Sequence, residues 1–99
     1  MKEGDVGTVI TFTIKDKDDS SVVNLTGFDT ATVIMNLDGT RRTGTAAFGT
    51  RVSGIVTYTI ASGDLHKGGR LEMEAKVAKA DGSESYTSDV ISEDVQPLL

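Results

Sequence analysis

Arg70-Leu71-Glu72-Met73-Glu74-Ala75-Lys76-Val77-Ala78 is the stretch that decides the fold class. Leu71, Met73, Ala75 and Val77 alternate without a break with Arg70, Glu72, Glu74 and Lys76. A period of two sends alternate side chains to opposite faces of a strand, whereas a helix needs apolar residues three and four apart. One face is therefore apolar and the other charged. That is the pattern of a strand with a core on one side and water on the other.

The same alternation recurs on either side. Thr30 to Leu37 places Ala31, Val33, Met35 and Leu37 on one face, and Gly54 to Ile60 does so with Val56, Tyr58 and Ile60. Val6 to Ile14 alternates Ile10, Phe12 and Ile14 with Thr11 and Thr13. Val22, Val23 and Leu25 make a short strand closed by Thr26-Gly27. Arg41 to Phe48 is weakly patterned and interrupted by Gly44, and Ser85 to Val95 is polar with no clear register. Asp38-Gly39 and Asp81-Gly82 are two-residue hairpin signals, because both residue types tolerate positive φ. Lys15 to Ser20 reads as a solvated turn, and only Ala61 to Lys67 looks unlike strand. Within it, Ser62-Gly63-Asp64-Leu65 is expected to form one helical or 3₁₀ turn.

Composition agrees. Val, Ile and Thr contribute 10, 6 and 13 of the 99 residues, and these β-branched side chains suit a pleated surface better than a helix. Strands at short spacing with no intervening helix predict an all-β antiparallel sandwich of about seven strands. A chain of 99 residues is a single domain, 1–99.

Charge and residue inventory exclude several functions. Ten Lys and Arg against fifteen Asp and Glu give a net charge of −5, against nucleic-acid binding. No Cys and one His leave no thiolate or His-rich metal site and no cysteine nucleophile. Asp16, Asp18 and Asp19 suggest calcium, but an EF-hand loop beginning at Asp16 would need Gly and Glu where Ser21 and Gly27 stand. His66 lies beside Asp64 with no nucleophile elbow, and Glu72 and Glu74 belong to a solvated strand face, so no catalytic residue is expected. The chain is not expected to be an enzyme or to carry a cofactor. No apolar run approaches the ~20 residues of a membrane helix, and the first residues lack a signal-peptide core. The expectation is a chain outside the membrane, made in the cytoplasm.

Charge is also unevenly distributed. Gly39 to Gly54 carries Arg41, Arg42 and Arg51 and no acid. Ala80 to Leu99 carries Asp81, Glu84, Asp89, Glu93 and Asp94 and no base. Two contact surfaces are expected from this, Arg41, Arg42 and Arg51 on one and Asp89, Glu93 and Asp94 on the other, for different partners or for copies of the chain itself. Reversing all three arginines to Glu is expected to abolish assembly and leave the fold intact.

A family resemblance adds to this reading. Gly4-Asp5-Val6-Gly7-Thr8-Val9-Ile10, a Lys/Asp-rich turn and Val23-Asn24-Leu25-Thr26-Gly27 resemble the start of the baseplate upper protein N-terminal domain family of tailed phages and prophages. Asn24 stands where that family usually has Asp. The resemblance continues through Val33 to Leu37 with Asp38-Gly39-Thr40, Gly54 to Ile60, and Ser62-Gly63-Asp64-Leu65. It extends through Gly69 to Val77 with Glu74 at a frequent Glu, Ala80-Asp81-Gly82, and Tyr86-Thr87-Ser88-Asp89. Leu71 replaces a usual Tyr, removing a tyrosine-corner-like hydrogen bond, and Thr87 replaces a common Pro. The family's domain usually begins a longer protein, so this sequence is either a small complete virion protein or a truncated domain.

The resemblance implies an immunoglobulin-like β-sandwich with no active site. It implies a virion protein that links receptor-binding components to the tail by contact with other phage structural proteins. Two other readings stand beside it: a capsid decoration or head-fibre protein, and a carbohydrate-binding adhesin, which would need exposed aromatic rings.

Overall fold

The computed structural model describes residues 1–98. Eight strands build two antiparallel sheets packed as a sandwich. They are β1 (Val9–Thr13), β2 (Thr30–Leu37), β3 (Thr40–Thr45), β4 (Ala47–Phe48), β5 (Ile55–Thr59), β6 (Gly69–Ala78), β7 (Ser85–Thr87) and β8 (Ile91–Val95). One sheet has the order β1-β5-β4, and the other β3-β2-β6, with β7 and β8 both on the free side of β6. This is the B-E-D and C′-C-F-G arrangement of an immunoglobulin-like sandwich, and β7 and β8 together fill the last place. Among the described residues no strand A lies on β1; residues near the N-terminus instead make a parallel bridge, Lys2 with Gln96, beside the end of β8. No helix among the described residues is long and apolar enough to cross a membrane.

The alternations read from sequence become the core. Ala31, Val33, Met35 and Leu37 of β2 face Val77, Ala75, Met73 and Leu71 of β6 across the ladder, and all eight are buried. Phe12, Ile14, Val56, Tyr58 and Ile60 close over them from the other sheet. At Asp38-Gly39 the backbone turns with φ of 48° and 91°, as a tight hairpin with both central residues left-handed requires.

Three local expectations need correction. Val22 to Leu25 is not a strand. Val23 N–H donates to Ile14 O and Leu25 N–H to Arg51 O, so consecutive bonds go to different elements and no ladder forms. Arg41 to Phe48 divides at Ala46: β3 belongs to one sheet and β4 to the other. Gly44, which breaks the sequence pattern, sits where a Cβ would lie 2.6 Å from the Tyr58 ring, so only glycine fits beneath that ring. The residues Ser62–Leu65 form the single turn expected there, with Asp64 N–H donating to Ala61 O at 3.1 Å, and a 3₁₀ helix stands at Arg51–Ser53.

Ser85 to Val95 also divides, and for a different reason. Lys76 pairs with Thr87 and Met73 with Ile91, so three steps along β6 match four along its partner. The extra residue is a β-bulge. Ser88 holds it together. Its N–H donates to Ala75 O at 2.8 Å, and its Oγ accepts from Ala75 N–H at 2.9 Å in place of a backbone carbonyl.

Candidate functional site

The outer face of the five-stranded sheet carries a shallow depression. Side chains on that face come from alternate positions: Arg41 and Thr43 of β3, Ile34 and Asn36 of β2, Glu72 and Glu74 of β6. The bulge adds Val90, which is 54 % exposed. Ile34, Asn36, Arg41, Glu72, Met73, Glu74 and Val90 line a shallow depression of about 260 Å³. Its lining mixes apolar Ile34 and Val90 with charged Arg41, Glu72 and Glu74, and Glu74 stands between the two apolar residues, opposite Ile34 in the ladder. Exposed apolar side chains among charged ones are a feature of protein–protein contact surfaces.

The three arginines do not share one surface. Neighbouring residues of a strand face opposite ways, so Arg41 lies on the outer face and Arg42 on the inner side. Arg42 reaches across to Asp64 at 3.4 Å and donates to Gly63 O at 2.6 Å. Arg51 donates to Phe28 O at 2.8 Å and Leu25 O at 3.3 Å, and its guanidinium lies 4.0 Å from the centre of the Phe48 ring. Arg42 and Arg51 therefore hold the fold, and the expectation that all three can be reversed without structural cost is corrected. Arg41 alone is a clean probe of contact.

The acids are equally dispersed. Asp89 pairs with Lys17 at 2.9 Å, and that hydrogen bond holds its carboxyl below the ordinary range. Glu93 lies opposite Leu71, in the row that elsewhere faces inward, yet it is exposed because β8 is an edge. Asp94 lies on the other face, opposite Arg70, and its carbonyl accepts from the Met1 ammonium at 3.5 Å.

The least expected cluster is buried. Asp64 is 3 % exposed. Its Oδ2 accepts from Tyr58 Oη–H at 2.6 Å and from Ala61 N–H at 2.8 Å, while Arg42 approaches its Oδ1. One carboxylate thereby ties the loop after β5 to β5 itself and to the β3 edge. His66 is exposed and takes no part. Burial, and next the Asp64 hydrogen bond, push the Tyr58 phenol from 10.0 up to about 12. The folded state keeps a proton that the unfolded chain releases near pH 10. This contribution is whole below pH 10 and is lost as pH rises from there to about 12. Its expected size is on the order of 2–3 kcal/mol. Urea unfolding across that range should show the decline in the wild type, and Tyr58→Phe should lose this component. An unchanged slope in Tyr58→Phe would contradict the assignment.

The aromatic residues are committed to packing. Phe12, Phe28 and Tyr58 are buried, Phe48 lies under Arg51, and Tyr86 packs on Phe28 with ring centres 6.0 Å apart. Asp16 and Asp19 are likewise engaged locally, accepting from Asp18 N–H and from Ser21 N–H and Oγ–H, which shapes the turn. No group of three or more His, Asp or Glu placed to hold a metal occurs among the described residues.

Compared with protein-family models, curated proteins and solved structures, the chain matches none.

Proposed function

We propose that this chain is a structural module of a tailed-phage or prophage particle. It acts at the tail or baseplate by protein–protein contact and helps to link receptor-binding components to the tail. The observation that supports the reading is the outer face of the five-stranded sheet, where exposed Val90 and half-buried Ile34 stand among Arg41, Glu72 and Glu74 around one shallow depression. The immunoglobulin-like strand order also agrees with the architecture that the family resemblance implies. A rigid sandwich needs no moving part for this role. Its ladders fix the relative positions of the face residues, and partners read that fixed pattern.

The test is compositional. Particles from a producing host are purified on a density gradient, and their proteins are quantified by mass spectrometry. The chain is expected at a fixed copy number relative to the tail proteins, in tails separated from heads as well as in whole particles. Recovery only in the soluble fraction, or only with heads, would overturn the tail reading.

A further inference from the structure

We infer that β1 is a pairing edge for a second copy of this chain, joined antiparallel about a twofold axis. This inference stands apart from the virion reading and can fail alone. The starting point is the absent strand A. In the sheet β1-β5-β4, β1 has a neighbour on one side only. Ile60 N–H donates to Thr8 O and Ile14 N–H to Gly54 O, which fixes the parity of the ladder. Even-numbered residues of β1 turn their backbone groups toward β5, and Val9, Thr11 and Thr13 turn theirs outward. None of these three has another backbone partner among the described residues.

The other edges are protected. β3 carries Arg41 and Arg42, and self-pairing would collect like charges there. β4 and β7 are only two and three residues long. The far end of β8 is covered, since Glu3 N–H donates to Gln96 O and Gln96 N–H to Met1 O, and Glu93 adds a charge in its inward row. Charge, shortness and cover are the usual devices against strand addition. β1 has none of them: Val9-Ile10-Thr11-Phe12-Thr13 holds no charge, no Pro and no bulge.

Self-complementarity selects the second copy as occupant. The outward parity allows a register centred on Thr11, which opposes Thr11 to its own copy, Val9 to Thr13 and Ile10 to Phe12. Thr–Thr and aromatic–β-branched pairs are favourable cross-strand neighbours. Beyond the strand ends, this register brings Asp5 of one copy toward Lys15 and Lys17 of the other, a complementary arrangement. A second observation points to the same place. Beside β1, Phe12, Thr13, Lys15, Ser88, Asp89 and Ile91 line a cleft of about 170 Å³ where the two sheets part. The half-buried Ile10 of an added strand lies opposite Phe12 on that side and covers the half-buried Ile91. The product is one six-stranded sheet across a closed, isologous dimer.

Sedimentation equilibrium of the purified chain over a wide concentration range tests this. The wild type is expected to reach the mass of two 10.4 kDa chains. Thr11→Lys places like charges opposite each other and is expected to stay monomeric wherever the wild type is dimeric. Thr11→Pro removes an N–H that points outward and should do the same with an unchanged circular dichroism spectrum. Thr43→Lys, on the β3 edge, should leave the dimer intact. In the wild-type dimer, hydrogen exchange should slow at the Thr11 and Thr13 amides. A wild type that is monomeric throughout, or a dimer that survives Thr11→Lys, would overturn the inference.

Discussion

Asp64→Ala is expected to lower the stability of the fold by about 3 kcal/mol. The reasoning is an accounting of orphaned groups. The substitution leaves the buried Tyr58 hydroxyl and the Ala61 N–H without their acceptor, and Arg42 without its partner. An unmet buried donor costs about 1–3 kcal/mol, so the first two set the scale. Arg42 adds less, because its side chain is 44 % exposed and water can solvate it. Asp64→Asn keeps an acceptor for both donors and should cost only about 1 kcal/mol. For a domain whose total stability is on the order of 5–15 kcal/mol, the difference between the two variants is large. Urea unfolding of both, with Arg42→Met to isolate the ion pair, separates these contributions. A loss below about 0.5 kcal/mol for Asp64→Ala would show that the cluster is decorative.

Phe12→Ala is expected to be costlier, at about 4 kcal/mol. Phe12 is 1 % exposed, lies opposite Val56 in the ladder and faces the β6 sheet through the core. Its removal loses the transfer energy of a ring and leaves a void that β5 and the facing sheet hold open. Phe12→Leu refills most of that volume and should cost about 1–1.5 kcal/mol. Val9→Ala, on the same strand but 58 % exposed, should change little. Thermal and urea unfolding of the three variants check the order. Equal losses at Phe12 and Val9 would contradict the assigned facing of β1.

The core was legible because strand alternation is a local signal. Leu71, Met73, Ala75 and Val77 announce their face within nine residues, and their partners on β2 do the same. The corrected features depend on long-range partners instead. Arg42 reads as free surface charge until Asp64 is brought beside it from 22 positions away, as 64 less 42. Arg51 reads likewise until Phe28 O and the Phe48 ring meet it. Gly44 looks like a weakness in a strand, and its reason is a tyrosine fourteen positions on, as 58 less 44. The bulge at Ser88 carries no Gly or Pro to mark it, since the hydroxyl itself replaces the missing ladder bond. Without that bulge Val90 has no assigned face, so one of the two apolar residues of the proposed contact face was hidden too. The uneven charge was visible in sequence, but strand alternation divides each cluster between two faces.

That contact surface can be tested by one measurement. Ile34→Lys puts a new charge into the depression on the outer face, on a strand whose buried side is untouched. Thr57→Lys does the same on the outer face of the opposite sheet. Particles assembled with each variant are purified and the copy number of the chain is measured. The Ile34→Lys chain should fold, by circular dichroism, yet be missing from the particles, while Thr57→Lys is incorporated as the wild type is. Incorporation of folded Ile34→Lys at the wild-type copy number would contradict docking through this face.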